Sequence, residues 1–129
     1  MEHLASVFKA LSDSTRLEIM ALLLWERELC VCDVERVLGI TQSRSSRHLR
    51  YLLNAGLVHN RRAGAWMHYY IPDDLAEEPG QVVRMLRLIF DKKELSELRS
   101  QLATWLRDKA RQGEPCAASD LTAITRGRP

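Results

Sequence analysis

Two short helical patterns separated by a few residues constrain the fold of this chain more than any other feature. The first pattern fits Val31 to Leu38, with its apolar side chains on one side. Gly39 ends it, because glycine readily adopts the left-handed conformation that closes helices. Thr41 can cap a second helix, which reads QSRSSRHLRYLLNAG. This spacing predicts a helix-turn-helix.

Further helical patterns precede this unit and a β-hairpin follows it. Leu4 to Leu11 has one apolar face, and Leu17 to Leu24 is apolar almost all round, which is typical of a central core helix. Leu57 to Arg62 and Trp66 to Ile71 flank a turn at Gly64, and the second segment is rich in aromatic residues. We therefore predict a mainly α fold with a two-stranded β wing, a winged helix-turn-helix.

The C-terminal part of the chain predicts a long helical region after a break at Glu77 to Gly80. This region runs from about Gln81 to Arg111, with an interruption near Asp91. Apolar residues recur in it at coiled-coil spacing, at Leu95, Leu98, Leu102 and Trp105. Because one small domain cannot bury all these apolar stripes, we expect a homodimer. We predict one DNA-binding and dimerisation domain over residues 1–111 and a flexible tail over residues 112–129.

The distribution of apolar and charged residues indicates in which cellular compartment the chain is expected. The longest apolar run, Ile19 to Trp25, has seven residues, whereas about 20 are needed to span a bilayer. Charges interrupt the N-terminal segment, unlike in a signal peptide. We expect a soluble, cytoplasmic protein with no membrane partner. In a reducing cytosol, its three cysteines are buried thiols, reactive thiols or metal ligands rather than a disulfide framework.

The second helix of the helix-turn-helix has a basic, hydroxylated face. No carboxylate occurs between Gln42 and Asn54, although the net charge of the whole chain is only +2. In helix-turn-helix proteins the N-terminal part of this helix meets base edges, and the wing reaches the adjacent groove or backbone. A solvated polar face is the alternative for the helix taken alone. The residues that we predict to contact DNA are Gln42, Ser43, Ser46 and Arg47 at the bases, Arg50 at phosphate, and Arg61 and Arg62 in the wing.

Cys30 and Cys32, in the segment ELCVCDV, lie where the first helix of this unit begins. Residues two apart in a regular helix point in nearly opposite directions, but the first residues need not be helical. An extended start would let both sulfurs reach one ion, and a helix N-terminus lowers thiol pKa. A disulfide at this spacing is strained, and two simply buried thiols are the main alternative. The flanking Glu28 and Asp33 favour a ligand site.

The ion best suited to two neighbouring thiolates is soft and needs few ligands. Structural zinc takes four ligands, usually cysteine and histidine, but the four histidines of this chain are scattered. A trivalent ion such as arsenite or antimonite needs three thiolates. Cys116, in the predicted tail, is the remaining cysteine and could come from the same subunit or its partner.

Four segments, from about Phe8 to Ile71, together resemble the ArsR/SmtB family of repressors. They are ALSDSTRLEIMALLL, ELCVCDV, TQSRSSRHLRYLLNAGLV and RRAGAWMHYYI. The resemblance implies a homodimeric winged-helix repressor that leaves its operator when an inducer binds. ELCVCD is similar to the arsenic-responsive branch. Cadmium- and lead-responsive members add cysteines from an N-terminal extension, whereas this sequence has none before Cys30. Zinc-responsive members use Asp, His and Glu on the C-terminal helix, whereas Gln81 to Arg111 contains no histidine here.

One position departs from the arsenic-responsive pattern. That pattern has a third cysteine three residues after the C-x-C pair, where this chain has Glu35. The third ligand is then Cys116, an exogenous thiol, or none, and a two-thiol site would also suit a monomethylated trivalent arsenical.

The sequence therefore predicts a metalloid-responsive repressor that binds double-stranded operator DNA as a homodimer. Trivalent arsenic or antimony releases it by binding Cys30, Cys32 and, as a further candidate, Cys116, and no organic cofactor is expected. An oxidant- or persulfide-sensing repressor of the same fold is the alternative. We do not expect an enzyme, because no histidine or acidic residue is recognisably paired with either thiol.

Overall fold

The structure, a computed structural model, describes residues 1–75, 77–91 and 93–112, except for the side chain of Glu94. Six α-helices and three short strands follow one another in this part of the chain. They are α1 (Glu2–Ala10), α2 (Ser14–Trp25), β1 (Leu29–Cys30), α3 (Val31–Leu38), α4 (Gln42–Asn54), β2 (His59–Ala63), β3 (Trp66–Tyr70), α5 (Glu77–Phe90) and α6 (Ser96–Arg111), with a 3-10 turn at Lys93–Leu95 before α6.

The helix-turn-helix is formed by α3 and α4, and local signals set its boundaries. Gly39 ends α3 with a φ of 67°, in the left-handed region. Thr41 caps α4, and its hydroxyl oxygen accepts a hydrogen bond from the backbone N–H of Arg44 at 3.1 Å. Both predictions from sequence are confirmed.

The core lies between α2 and the inner face of α4. Residues Ile19 to Leu23 of α2 are buried all round the helix. Leu49 and Leu52 of α4 are fully buried, while Leu53 is half-buried. Ser45 is also buried, and its hydroxyl donates to the carbonyl oxygen of Thr41 at 2.9 Å, so that its polar group is satisfied. The opposite face of α4 is thereby directed towards solvent.

The predicted hairpin is present, but it belongs to a three-stranded antiparallel sheet with the order β1-β3-β2. Leu29 lies opposite Tyr69 and Cys30 opposite His68. The prediction of two strands is therefore extended by β1, which covers the edge of β3 that the hairpin alone would leave unpaired. The sheet thus connects the first cysteine directly to the wing.

The region predicted as a break at Glu77 to Gly80 is instead the first turn of α5, so this prediction was wrong. A proline is tolerated in the first turn, where its missing N–H is not needed, and acidic side chains suit a helix N-terminus. The predicted interruption near Asp91 is confirmed, because α5 ends at Phe90 and α6 begins at Ser96. Residues 113–129 lie outside the described residues, so the domain boundary and the flexible tail stay predictions.

The apolar residues predicted to form a coiled-coil-like seam pack on the core of their own chain. Leu102 is buried, and Leu95, Leu98 and Trp105 pack against the core cluster. Large apolar side chains are exposed elsewhere, chiefly on α1 and α5: Phe8, Met85, Leu88 and Ile89. Within the described residues, none of the helices combines the length and apolar character that crossing a membrane requires.

The cap of α2 gives a first prediction. The Asp13 carboxylate accepts the N–H of Arg16 at 3.0 Å, and this hydrogen bond lowers the pKa of Asp13 below its ordinary value. Asp13→Ala should reduce the free energy of unfolding by about 1 kcal/mol. Because the pKa is lowered in the folded state, this contribution is present above the unfolded pKa of about 3.9 and is lost as the pH falls through the folded value.

Denaturant titrations at neutral pH and at about pH 3, with exposed Asp74→Ala as the control, measure this effect. An equal loss for Asp13→Ala at both pH values would contradict the assignment of the charged cap.

Candidate ligand site and nucleic-acid interface

The two cysteines at the start of α3 lie side by side in the core. Cys30 is the N-cap of α3, with extended dihedral angles of φ −91° and ψ 170°, and Cys32 follows in the first turn. Their Sγ atoms are 3.5 Å apart, and both residues are buried. The expectation that an extended start would bring the two sulfurs together is confirmed.

The Asp33 carboxylate organises the surroundings of the cysteines. Its Oδ2 accepts the backbone N–H of Cys30 at 2.9 Å. Its Oδ1 accepts hydrogen bonds from Trp105 Nε1 and Lys109 Nζ of α6, both at 2.8 Å. Asp33 is 1% exposed, and such a buried charge is tolerable only when it is paired and hydrogen-bonded.

Trp105 and Lys109 also approach the sulfurs themselves. Trp105 packs against the cluster formed by Cys30 and Cys32, and Lys109 Nζ lies 4.0 Å from Cys30 Sγ. One ligand atom from each of Cys30, Cys32 and Asp33 lies within 4.8 Å of the others, and this is the group of potential metal ligands found among the described residues.

Sequence reasoning placed Asp33 only as a flanking residue and missed Trp105 and Lys109. One signal was available: Asp33 follows the N-cap Cys30 at the spacing of a capping box, with cysteine in the place of serine or threonine. Trp105 and Lys109 are four residues apart on α6 and share a face, but nothing in the sequence says which element that face contacts.

The acidity expected for the first cysteine is not observed. Burial, with a further contribution from the Asp33 charge, raises the pKa of the Cys30 thiol to about 11, although Lys109 opposes this effect. The loss of solvation therefore outweighs the helix N-terminus. A thiophilic ion that binds here must displace a proton.

The exposed face of α4 contains the predicted DNA contacts. Ser43, Arg47 and Arg50 are exposed, and Gln42 and Ser46 are half-exposed. Gln42 Nε2 donates to Ser46 Oγ at 3.2 Å, so these two side chains already lie together at the N-terminal end of the helix. The five side chains form one accessible surface.

In the wing, the two predicted arginines differ. Arg62 is exposed. Arg61 donates two hydrogen bonds to the Glu28 carboxylate, at 2.6 and 2.7 Å, and these lower the pKa of Glu28. His68 Nδ1 lies 3.4 Å from the same carboxylate. To contact phosphate, Arg61 would have to exchange its carboxylate partner or share it.

Cys116 lies outside the described residues, so its predicted role as a third ligand stays a prediction. Glu35, which occupies the position of a cysteine in the arsenic-responsive pattern, is half-buried on α3.

Comparisons with known proteins identify one family and relatives that are named as transcriptional regulators. Residues 13–60 match the family described as bacterial regulatory protein, arsR family. The chain is 42% identical over 86 residues to the arsenical resistance operon repressor of Bacillus subtilis (strain 168), which covers 67% of this chain and 80% of that protein. It is 44% identical over 70 residues to a cadmium resistance transcriptional regulatory protein, a CadC homolog of Staphylococcus aureus, which covers 54% of this chain and 58% of the relative.

Solved structures confirm the winged helix-turn-helix. A homodimeric winged helix-turn-helix DNA-binding domain from Mycobacterium bovis matches with a TM-score of 0.59 and 28% identity, covering 71% of this chain and 82% of that one. The AntR antimony-specific transcriptional repressor matches with a TM-score of 0.53 and 27% identity, covering 82% of this chain and 78% of that one.

The Asp33 network gives a prediction for stability. Asp33→Ala removes the acceptor of a buried ion pair and should reduce the free energy of unfolding by about 3 kcal/mol. Asp108→Ala removes the carboxylate of an exposed pair with Arg111 and should cost at most about 1 kcal/mol. Denaturant titrations at one protein concentration compare the two variants. Equal losses would show that the Asp33 network contributes no more than a surface pair.

Proposed function

We propose that this chain, which belongs to the ArsR family of bacterial regulatory proteins, is a transcriptional repressor. Trivalent arsenic or antimony releases it from operator DNA. The observation that carries the proposal is the pair of buried Sγ atoms, 3.5 Å apart, at the start of α3. The names of an arsenical resistance repressor and of an antimony-specific repressor among its relatives support the same ligand class.

The donor set supports a thiophilic ion over zinc. Among the described residues, two cysteines and Asp33 supply fewer groups than the four of a structural zinc site. Asp33 Oδ1 and Oδ2 both accept hydrogen bonds already. Trivalent arsenic and antimony bind three thiolates, and the third would be Cys116 or an exogenous thiol. Without a third thiol, the two sulfurs would suit a monomethylated trivalent arsenical.

The accessible surface of α4 supports the DNA contacts. An exposed helix face with arginine, glutamine and serine and no carboxylate can read base edges in a major groove. We assign Gln42, Ser43, Ser46 and Arg47 to the bases and Arg50 to phosphate. The wing adds Arg62, and Arg61 once it leaves or shares Glu28.

The exposed apolar residues of α1 and α5 support a homodimer. Leu88 is 79% exposed and Phe8 51% exposed in the single chain, whereas soluble monomers rarely leave such residues clustered in water. A second copy would cover them and would present two α4 helices to half-sites about 34–36 Å apart on DNA. The homodimeric domain from Mycobacterium bovis supports this assembly.

The position of the sulfurs suggests how an ion releases DNA. Cys30 and Cys32 lie at the first turn of α3, and α3 packs directly on α4. Drawing both sulfurs around one ion changes this first turn and hence the support of α4. Ligand and operator then weaken each other by the same factor, because coupling between binding sites is reciprocal.

The burial of Cys30 weighs against this thiol as the reactive group of the alternative, an oxidant or persulfide sensor. Sensor thiols are accessible and have a low pKa, whereas Cys30 is 4% exposed and its pKa is raised. We infer no catalytic step. We expect the protein to act in the cytoplasm, where its DNA partner is.

The DNA assignment gives a prediction about two arginines. With an operator selected from random duplexes by the ligand-free protein, Arg47→Ala should weaken binding about 5- to 150-fold and relax specificity at one base. Arg50→Ala should weaken all sequences alike and reduce the salt slope by about one. The control is Arg107→Ala, which changes an exposed arginine of α6. If all three variants bind like the wild type, another surface contacts DNA.

The ligand assignment is tested by titrating arsenite, antimonite, cadmium and zinc against the operator complex. We expect arsenite and antimonite to release the wild type, and Cys30→Ser and Cys32→Ser to bind the operator but to resist release. Release by zinc without a response to arsenite would contradict the proposal. Release by oxidant or persulfide alone would support the alternative. Wild-type behaviour of Cys116→Ser would show that the third thiol is not required.

A further inference from the structure

The cysteine site is also attached to the C-terminal helix, α6, which takes no part in the proposed coupling from α3 to α4. Asp33 accepts two long-range hydrogen bonds from α6, across 72 and 76 residues of sequence. The donors are an indole N–H and an ammonium group, which are different chemical groups directed at the same oxygen atom.

We propose that Trp105 and Lys109 are positioning residues of the ligand site, which act through Asp33 and make α6 part of the response to the bound ion. This inference rests on the proposed function, because it adds α6 to the elements through which the same site responds to the ion. Neither residue ligates the ion.

The two oxygens of the Asp33 carboxylate connect α3 to α6. Oδ2 holds the backbone N–H of Cys30, and Oδ1 holds Trp105 and Lys109. A carboxylate is rigid and planar, so a movement of one oxygen atom also displaces the other. If an ion draws Cys30 Sγ and Cys32 Sγ around itself, the N-cap residue must adjust, and Asp33 transmits that adjustment to α6.

The C-terminal helix α6 packs on α3 and on α2, the central helix of the core. Trp105 also packs directly against the two cysteines, and the guanidinium of Arg36, on α3, lies 5.2 Å from the centroid of its ring. A movement of the two sulfur atoms would therefore displace the Trp105 side chain, which lies on the face of α6 that packs on α3.

The surroundings of Lys109 favour a role at the site rather than at the surface. Its Nζ lies between Asp33 Oδ1 at 2.8 Å and Cys30 Sγ at 4.0 Å, with 26% of the side chain exposed. An ammonium group in this place holds the carboxylate close to the cysteines. By contrast, Arg111, in the last turn of α6, pairs with Asp108 on the surface.

The test separates coupling from binding and from folding. Trp105→Phe removes the N–H and keeps an aromatic ring, and Lys109→Met removes the charge. Trp25→Phe and Lys109→Arg are the matched controls. For each protein, operator affinity is measured with and without saturating sodium arsenite, and arsenite affinity is measured in the absence of DNA.

Both variants should bind operator like the wild type when arsenite is absent. The factor by which arsenite weakens the complex, typically about 5- to 150-fold in coupled systems, should fall several-fold in Trp105→Phe and Lys109→Met. Both controls should keep it. Arsenite responses equal to that of the wild type in the two variants would overturn the inference and leave the proposed function intact. No response of the wild type itself would instead overturn the proposed function.

A spectroscopic measurement covers the case in which a variant does not fold. The chain has three tryptophans, so Trp25→Phe/Trp66→Phe leaves Trp105 as the sole emitter. Arsenite should change its emission, and Cys30→Ser in the same background should abolish the change. An emission unaffected by arsenite, in a protein that binds arsenite, would overturn the inference.

Discussion

The carboxylate of Asp33 is the interaction on which the arrangement of the ligand site depends. It is buried, so it needs its full set of hydrogen bonds and an opposite charge. It obtains them from the N-cap residue of its own helix and from two side chains of α6. Cys30, whose backbone N–H Asp33 holds, is both the extended N-cap of α3 and the last residue of β1 beside β3. Asp33 therefore joins the cysteine pair, the third strand and α6.

The same position limits the chemistry of the cysteines. Burial raises the pKa of Cys30 to about 11, so the thiol is protonated at neutral pH and oxidises slowly. The site therefore favours ligands that bind sulfur strongly enough to displace a proton. The wing is attached to the same segment, because Glu28, two residues before Cys30, pairs with Arg61. The segment from Glu28 to Asp33 thus contacts the wing, the helix-turn-helix and α6 within six residues.

The local parts of this fold were predictable from sequence because their signals are local. Gly39 and Thr41 set the ends of α3 and α4 by backbone conformation and capping, and the family resemblance agreed with them. The strand β1 has two residues and no pattern of its own, so only its pairing with β3 reveals it. The start of α5 was missed because proline and glycine usually end helices, whereas a first turn accepts them.

The ligand site was predictable only in part, for a related reason. The C-x-C spacing and the expected extended start located the two sulfurs. Asp33, Trp105 and Lys109 form a site only after α6 has packed, and its apolar stripe was assigned to a partner chain instead. The face of α4 was predicted well because helical periodicity alone separates buried Ser45 and Leu49 from exposed Arg47 and Arg50.

X-ray absorption at the arsenic edge of the arsenite-loaded protein counts the sulfur neighbours of the bound ion. We expect at least two sulfur neighbours in the wild type and fewer in Cys30→Ser and in Cys32→Ser. Cys116→Ser shows whether a third sulfur comes from the chain. A wild-type spectrum with only oxygen neighbours, or one that neither Cys30→Ser nor Cys32→Ser changes, would contradict the assignment of the metalloid to the start of α3.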